Sequence, residues 1–324
     1  MASATLTQAQ SEDVLRGKKL VFLVGAPRSG TTWLQLLLSR SPSVVTVIET
    51  HLFNLFMRSM LEQWKYDRST GALMGVTHLL SEEEYRTLLR SVSGFVLAKI
   101  AQGKPSATVV LEKTPDHVKC WREILDVWPD AHFIHLIRDP RSVVASLRVA
   151  SKSWGWQVFP PRISPNCERW VSDVTNGRQI SSATDNYQEV TFEELISDGP
   201  AALMRVLAGM GVQSSLDQCR EYVDECRFEN LKAGKLDNAP FPMTNRNEAN
   251  YRIGKTDSWR VELSKREIAL IERRAGPLMS ELGYAPTKVS KVMSTFAGMG
   301  WITWEVARAA KWRLRRFAER HGLV

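Results

Sequence analysis

The stretch LVFLVGAPRSGTTWLQLLLSRSP, from Leu20 to Pro42, decides the fold of this chain. Its apolar run Leu20–Val24 predicts a buried β-strand, and the apolar residues after Gly30 recur at helical spacing. Between them lies the loop GAPRSGTT, which begins at Gly25. In a strand–loop–helix unit of this kind, backbone N–H groups converge on an anion and the helix adds the positive end of its dipole. The stretch therefore predicts a phosphate-binding loop at the end of the first strand.

This loop differs from the Walker P-loop at one informative place. The Walker pattern continues with Lys and then Ser or Thr after its second glycine, because an ammonium group meets the terminal phosphates and a hydroxyl holds Mg²⁺. Here Thr31 and Thr32 follow Gly30, and the nearest cation is Arg28, inside the loop. The missing lysine counts against ATP as the ligand. A P-loop kinase stays open as the alternative hypothesis, and Mg²⁺ dependence would reveal it.

The composition is that of an ordinary globular protein with an anionic partner. Of 324 residues, 44% are hydrophobic and 24% charged, enough for one large α/β domain with a substantial core. The net charge of +8 favours a nucleotide, an acidic substrate, a nucleic acid or a membrane surface as partner, although mild basicity also aids solubility by itself. Cys120, Cys167, Cys219 and Cys226 show no metal spacing, so we expect reduced thiols. With no secretory signal in residues 1–18 and no long apolar run, the sequence predicts a soluble cytoplasmic protein.

Strand-like and helical patterns alternate along the first two thirds of the chain. The predicted strands are Leu20–Val24, Val44–Ile48, Thr108–Leu111, Ala131–Ile137 and Glu189–Thr191. The predicted helices are Trp33–Ser39, Glu82–Ala101, His117–Val127, Pro140–Ala150, Ala201–Met210, Leu216–Cys226 and Lys265–Leu282. This order predicts a three-layer α/β fold, in which helices flank a mainly parallel central sheet and ligands lie beyond the carboxyl ends of the strands. Two long polar stretches, Ser151–Asn166 and Lys232–Trp259, are predicted to be binding loops.

A second candidate anion site follows the fourth predicted strand. In HFIHLIRDPRSVVASL, His132 to Leu147, the strand ends at Arg138, and Asp139-Pro140 starts a helix with Asp as N-cap and Pro at N1. Arg138 and Ser146, two helical turns further on, could hold a second phosphate. The alternative is an internal ion pair between Arg138 and Asp139.

Four motifs in this order resemble those of sulfotransferases that use 3′-phosphoadenosine-5′-phosphosulfate (PAPS). PRSGTTW resembles the 5′-phosphosulfate loop of that family, and RDPRSVVAS resembles its 3′-phosphate motif, with the same step from Arg138 to Ser146. VTFEEL resembles the Y-E-D-L element, with Phe192 in the aromatic place, and YRIGKTDSW resembles the R-x-G…W loop. MSELGY, ending at Tyr284, resembles the usual end of the domain.

The resemblance implies a donor site and no metal. A transferring sulfuryl group carries less charge than a γ-phosphoryl group and needs no bridging Mg²⁺, so a loop without the Walker lysine suffices. The residues implied to bind PAPS, or the spent product 3′-phosphoadenosine-5′-phosphate (PAP), are Arg28, Ser29, Gly30, Thr31, Thr32, Trp33, Arg138, Ser146, Phe192, Arg252 and Gly254. Among them Trp33 would stack on adenine, or else pack in the core, and Arg252 would return to the 3′-phosphate.

At the place of the catalytic base the chain departs from one branch of the family. Aryl-type cytosolic sulfotransferases use the histidine of a K-T-H stretch, but here Lys113 and Thr114 are followed by Pro115. Glu49, after the second predicted strand, matches the glutamate that tyrosylprotein and heparan-type sulfotransferases use, so the chain resembles that branch more closely. The candidate catalytic residues are Glu49, Lys113, Arg28 and His51. Asp116 and His117 remain open as bases, and Glu49 could instead be a salt-bridge partner of Arg28.

The resemblance also divides the chain. It predicts a flexible N-terminal segment (1–18), a sulfotransferase domain (19–284) and a basic helical extension (285–324). The extension contains WEVARAAKWRLRRFAERH, Trp304 to His321, which could contact an anionic membrane or pack on the domain. The implied acceptor is a small molecule, lipid or carbohydrate rather than a nucleic acid. Trp154, Trp156 and Phe159 could line a lid over it or could be core residues.

Overall fold

The computed structural model describes residues 6–71, 76–152, 155, 158–233, 236, 239–240 and 256–288. Several predicted features lie outside these residues: Arg252 and Gly254, the two tryptophans Trp154 and Trp156, and the helix Trp304–His321. Within the described part of the chain, no helix is both long enough and apolar enough to cross a membrane.

The described residues form a parallel sheet of five strands. The strands are β1 (Lys19–Gly25), β2 (Val44–Thr46), β3 (Val109–Lys113), β4 (His132–Ile137) and β5 (Tyr187–Thr191). Their order across the sheet is β2-β3-β1-β4-β5, and every neighbouring pair is parallel. All five predicted strands are therefore confirmed, with shifted ends. The second strand ends at Thr46 rather than Ile48, because the chain leaves the sheet there and the Ile48 side chain is 61% exposed.

Helices cover both faces of this sheet. They are α1 (Gln8–Leu15), α2 (Thr31–Ser39), α3 (Arg58–Thr70), α4 (Glu82–Gln102), α5 (Trp121–Val127), α6 (Pro140–Ala150), α7 (Ile163–Gln179), α8 (Phe192–Ser197), α9 (Gly199–Gly209), α10 (Leu216–Glu225), α11 (Phe228–Lys232), α12 (Trp259–Glu262) and α13 (Lys265–Glu281). Alternate residues of β1 point to opposite sides: Val21 and Leu23 join one buried cluster, and Phe22 and Val24 join another. The predicted three-layer α/β fold is confirmed.

Three predictions about local structure are wrong. The segment 1–18 is not flexible throughout, because residues 8–15 form α1, which begins with a capping box at Thr7 and buries Leu15 against α4. The predicted helix His117–Val127 is interrupted: a short 3₁₀ turn, Pro115–Lys119, precedes α5. The polar stretch Ser151–Asn166 gives way to a helix at its end, since α7 already begins at Ile163.

Buried ion pairs fix the chain after β4. The Asp139 carboxylate accepts hydrogen bonds from the Arg141 backbone N–H (2.8 Å) and from its guanidinium (2.7 Å). The same guanidinium reaches Glu272 of α13 at 2.7 Å. These contacts confirm Asp139 as the N-cap of α6, and they show that its charge partner is Arg141 rather than Arg138. These contacts fix the start of α6, directly after Arg138.

Candidate active site

The candidate site lies where the strand order reverses. Within the sheet, β2 and β3 lie on one side of β1, and the chain then crosses over to form β4 on the other side of β1. The loops after β3, β1 and β4 consequently meet at the carboxyl edge of the sheet, beyond Lys113, Gly25 and Ile137. Open parallel sheets bind ligands at such a switch point.

The loop after β1 has the geometry of an anion cradle. Gly25 must be glycine, because a Cβ there would lie 2.4 Å from the Leu136 carbonyl oxygen of β4. Gly30 has a φ of 106°, and a Cβ there would lie 2.6 Å from the ring of Phe192. The Ser29 hydroxyl oxygen is buried and has no hydrogen-bond partner among the described residues. Helix α2 then starts at Thr31, so its first N–H groups face this loop. A buried hydroxyl without a partner beside a helix N-terminus fits an oxygen-rich anionic ligand.

Two arginines and a serine lie together beside the cradle. The Arg28 Nε donates a hydrogen bond to the Ser146 hydroxyl at 3.0 Å, with Arg28 in the left-handed region at φ 73°. The Arg138 guanidinium lies 3.9 Å from the Phe192 ring centroid and donates to the Arg28 carbonyl oxygen at 3.4 Å. Arg28 thus lies with the residues predicted to hold the second phosphate, and the alternative pair of Arg28 with Glu49 does not form.

Trp33 is a buried residue rather than an open stacking surface. Its side chain is 6% exposed, and its indole N–H donates to the Cys226 carbonyl oxygen at 2.9 Å. Its ring lies 5.6 Å from that of Phe192 and 5.1 Å from that of Phe228. Sequence reasoning missed Phe228, because no local motif links it to a tryptophan nearly two hundred residues earlier.

A chain of polar contacts joins the cradle to the candidate base. The buried Lys113 ammonium donates to the Thr32 hydroxyl at 3.1 Å and to Glu49 Oε1 at 2.5 Å. The other oxygen of Glu49 lies 3.5 Å from His51 Nε2, and His51 Nδ1 lies 3.3 Å from the Asn54 side-chain amide. Glu49 is about one third exposed (32%), so it is the carboxylate of this chain of contacts that an acceptor can approach.

The other two candidate bases are held in structural contacts. His117 is fully buried; its Nε2 accepts a hydrogen bond from the Phe53 N–H at 3.1 Å, and its Nδ1 lies 2.8 Å from Glu112 Oε2. Asp116 accepts hydrogen bonds from Lys119 and Arg169, and although burial acts to raise its pKa, these two cations lower it overall. Both residues are thus engaged in contacts with neighbouring groups of the folded chain.

Phe159 is a core residue. It is 6% exposed and belongs to a buried cluster with Trp170 and other residues of α6, α7 and α13. The prediction that Phe159 lines a lid over the acceptor is therefore wrong, and its alternative, core packing, is confirmed.

Comparisons with known proteins agree with this fold. The model of the sulfotransferase family matches residues 21–215. The chain is 24% identical over 307 residues to nodulation protein NoeE of Sinorhizobium fredii, and the match covers 85% of this chain and 68% of NoeE. It is 26% identical over 134 residues to the protein-tyrosine sulfotransferase of Drosophila melanogaster, covering 41% of this chain and 26% of that protein.

Among solved structures, the fold is similar to that of mouse sulfotransferase SULT7A1, crystallised with PAP. The TM-score is 0.52 at 14% sequence identity, and the match covers 86% of this chain and 89% of the mouse protein. This likeness concerns the fold alone. The family match spans more than half of the chain and includes most of β1, the cradle, Lys113 and Arg138. The chain therefore belongs to the sulfotransferase family.

Proposed function

We propose that this protein transfers the sulfuryl group of PAPS to a hydroxyl group (or an amine) of an acceptor. One observation carries the proposal: the Lys113 ammonium contacts both Thr32 of the cradle and the carboxylate of Glu49. A single cation therefore lies between the place for the donor and the candidate base, where it can stabilise charge that develops during transfer.

The donor's two anionic ends correspond to two clusters. The 5′-phosphosulfate would lie in the loop of Ser29, Gly30, Thr31 and Thr32, where N–H groups and hydroxyls face an anion. The 3′-phosphate would meet the cluster of Arg28, Arg138 and Ser146. Arg252 and Gly254 remain predicted contacts outside the described residues. The mouse neighbour was crystallised with PAP, the product that this reaction would leave.

At the reacting centre, Glu49 would accept the proton of the acceptor hydroxyl as its oxygen bonds to sulfur. Lys113 would stabilise the charge that develops on the leaving phosphate, as a fixed cation in a water-poor site does well. His51 lies behind Glu49 and orients it. No step in this scheme needs a metal ion. The catalytic unit that we propose spans residues 19–284, and membrane contact through residues 285–324 stays a prediction.

The proposal is tested by incubating the protein with PAPS and a panel of alcohols, phenols and sugars. We expect a sulfated product and one PAP for each molecule formed, with full activity in the presence of a chelator. Incubation with ATP and Mg²⁺ in place of PAPS is the matched control. Phosphorylated product from ATP, with none from PAPS, would favour the kinase alternative and overturn the proposal.

A further inference from the structure

A pocket of about 520 Å³ adjoins the segment of the chain that follows Glu49 and His51. Its lining includes Phe53 and Asn54, from the short π-helical segment Leu52–Phe56 that follows His51. Asn54 contacts His51, which in turn contacts Glu49. A larger pocket of about 820 Å³ is lined by Lys19, Leu20 and Ala131, at the amino ends of the strands. Of these two pockets, only the smaller has a lining residue, Asn54, that is linked to the candidate base through His51.

The charged side chains of this pocket are paired with one another. Among the described residues that line it, Arg58 contacts Glu62 at 2.7 Å, and Lys65 contacts Glu123. A second group of contacts joins Lys119 (2.7 Å) and Arg169 (2.8 Å) to Asp116. Below this group, Asp173 is fully buried and lies 3.4 Å from Lys119. Each cation of the wall thus already has a carboxylate partner.

Apart from Asn54 and Cys120, the rest of the wall is apolar. Phe53, Leu55, Leu61 and Val158 line the pocket, and the Leu55 and Val158 side chains are exposed by about 60% (59% and 60%). Apolar side chains in an open pocket gain free energy when a ligand removes them from water. A charged ligand would lose hydration here and would find no cation or carboxylate without a partner, which makes its transfer unfavourable.

We infer that this pocket binds the acceptor and selects uncharged alcohols with an apolar body over carboxylates and amines of the same shape. The inference rests on the proposed function, because it takes the hydroxyl next to Glu49 to be the group that is sulfated. The apolar body would lie against Leu55, Leu61 and Val158, while the hydroxyl end would point past Asn54 toward Glu49. The paired charges would remain paired when the acceptor is bound.

Cys120 offers a direct readout of pocket occupancy. It lines the pocket and is half-buried, whereas Cys167, Cys219 and Cys226 are fully buried. Burial raises the pKa of the Cys120 thiol, so labelling with N-ethylmaleimide is best followed at mildly alkaline pH. A Cys120→Ser variant identifies the label at this position. The labelling rate can be measured without donor or turnover.

The test compares phenylbutanol, phenylbutyrate and phenylbutylamine, which share one apolar body. We expect phenylbutanol to protect Cys120 at concentrations at least about tenfold lower than either charged compound, with calorimetric titration of the same three compounds giving the same order. Equal or better protection by phenylbutyrate or phenylbutylamine would overturn the inference, as would the absence of protection and of binding heat for all three.

A variant that breaks one pair should reverse the selection. Glu123→Gln leaves Lys65 without its carboxylate, so phenylbutyrate should gain about tenfold in affinity while phenylbutanol changes little. The matched control is Asp126→Asn, which removes the same charge from the same helix outside this pocket. No gain in Glu123→Gln would contradict the role of the pairs. If phenylbutanol protects Cys120 but PAPS yields no sulfated product, the proposed function fails and the binding preference stands.

Discussion

Two glutamate–histidine pairs lie at adjacent strand ends of this protein, and they differ in almost every property that matters for proton transfer. Glu49 and His51 follow the edge strand β2, are each about one third exposed, and lie 3.5 Å apart. Glu112 lies in the interior strand β3 and His117 follows it; both are fully buried, and they lie 2.8 Å apart.

The buried glutamate accepts several hydrogen bonds through one of its oxygens. Glu112 accepts hydrogen bonds from the hydroxyls of Thr50 and Thr114, both at 2.7 Å, besides its contact with His117. Burial by itself would raise the pKa of Glu112, but His117 and the two hydroxyls outweigh it and lower the pKa to about 2. Glu49, in contrast, has one oxygen on Lys113 and the other in a loose contact. The environment of Glu112 therefore stabilises its charged form, whereas Glu49 has fewer contacts and one oxygen that an acceptor can approach.

The largest expected effect is on turnover in Glu49→Gln. Loss of a general base typically lowers the rate by about 10²–10⁴-fold. The affinity for PAP should stay near that of the wild type, while the melting temperature should fall, because the buried Lys113 ammonium loses its carboxylate partner. Steady-state kinetics with saturating PAPS measures the effect. Wild-type turnover in this variant would show that another group takes the proton.

Glu112→Gln should act on stability instead. The substitution leaves His117 and two hydroxyls imperfectly paired in a buried site, so we expect a loss of about 3 kcal/mol in the free energy of unfolding by urea. Glu49→Gln is the matched control.

The pH dependence of stability has a defined sign. Since the pKa of Glu112 is lowered from 4.5 in the folded state, its contribution is present above pH 4.5 and is lost as the pH falls through about 2. In Glu112→Gln, the free energy of unfolding should lack this loss at low pH. An unchanged acid unfolding curve would mean that the Glu112 carboxylate does not contribute as described.

The smallest effect is expected for His51→Ala. The distance of 3.5 Å between His51 Nε2 and Glu49 exceeds that of a strong hydrogen bond, so turnover should fall by less than about tenfold. Asn54→Ala, which removes the contact on the other side of His51, should behave similarly. A loss in His51→Ala as large as that in Glu49→Gln would transfer the role of the base to the histidine.

The sequence alone could not separate these two pairs, because each is a glutamate shortly before a histidine after an apolar run. The difference arises from strand order: β2 is at the edge of the sheet and ends three residues before Glu49, whereas Glu112 still belongs to the interior strand β3. Strand order depends on pairing between distant segments, which local patterns do not encode. The same limit hid Phe228, whose contact with Trp33 forms only in the folded chain.

Local features were predictable where neighbouring residues determine them. The cradle after β1 and the N-cap at Asp139 each depend on a few consecutive residues, and both predictions agree with the structure. Helix α3 was missed because its face is mostly solvated: of its residues, Leu61 and Asp67 are buried. An amphipathic pattern this weak cannot be told from a polar loop.

The central claim is that the site recognises a 3′-phosphorylated donor. Its most direct test is calorimetric titration with PAP and with AMP. We predict that PAP binds about 10- to 100-fold more tightly, since charge-assisted hydrogen bonds to its 3′-phosphate contribute about 1.5–3 kcal/mol each. Arg138→Ala should weaken PAP binding by about tenfold or more and leave AMP binding nearly unchanged. Arg148→Ala, which removes a cation of the following helix α6 that pairs with Glu267, should keep the preference. Equal affinities of the wild type for PAP and AMP would contradict the account.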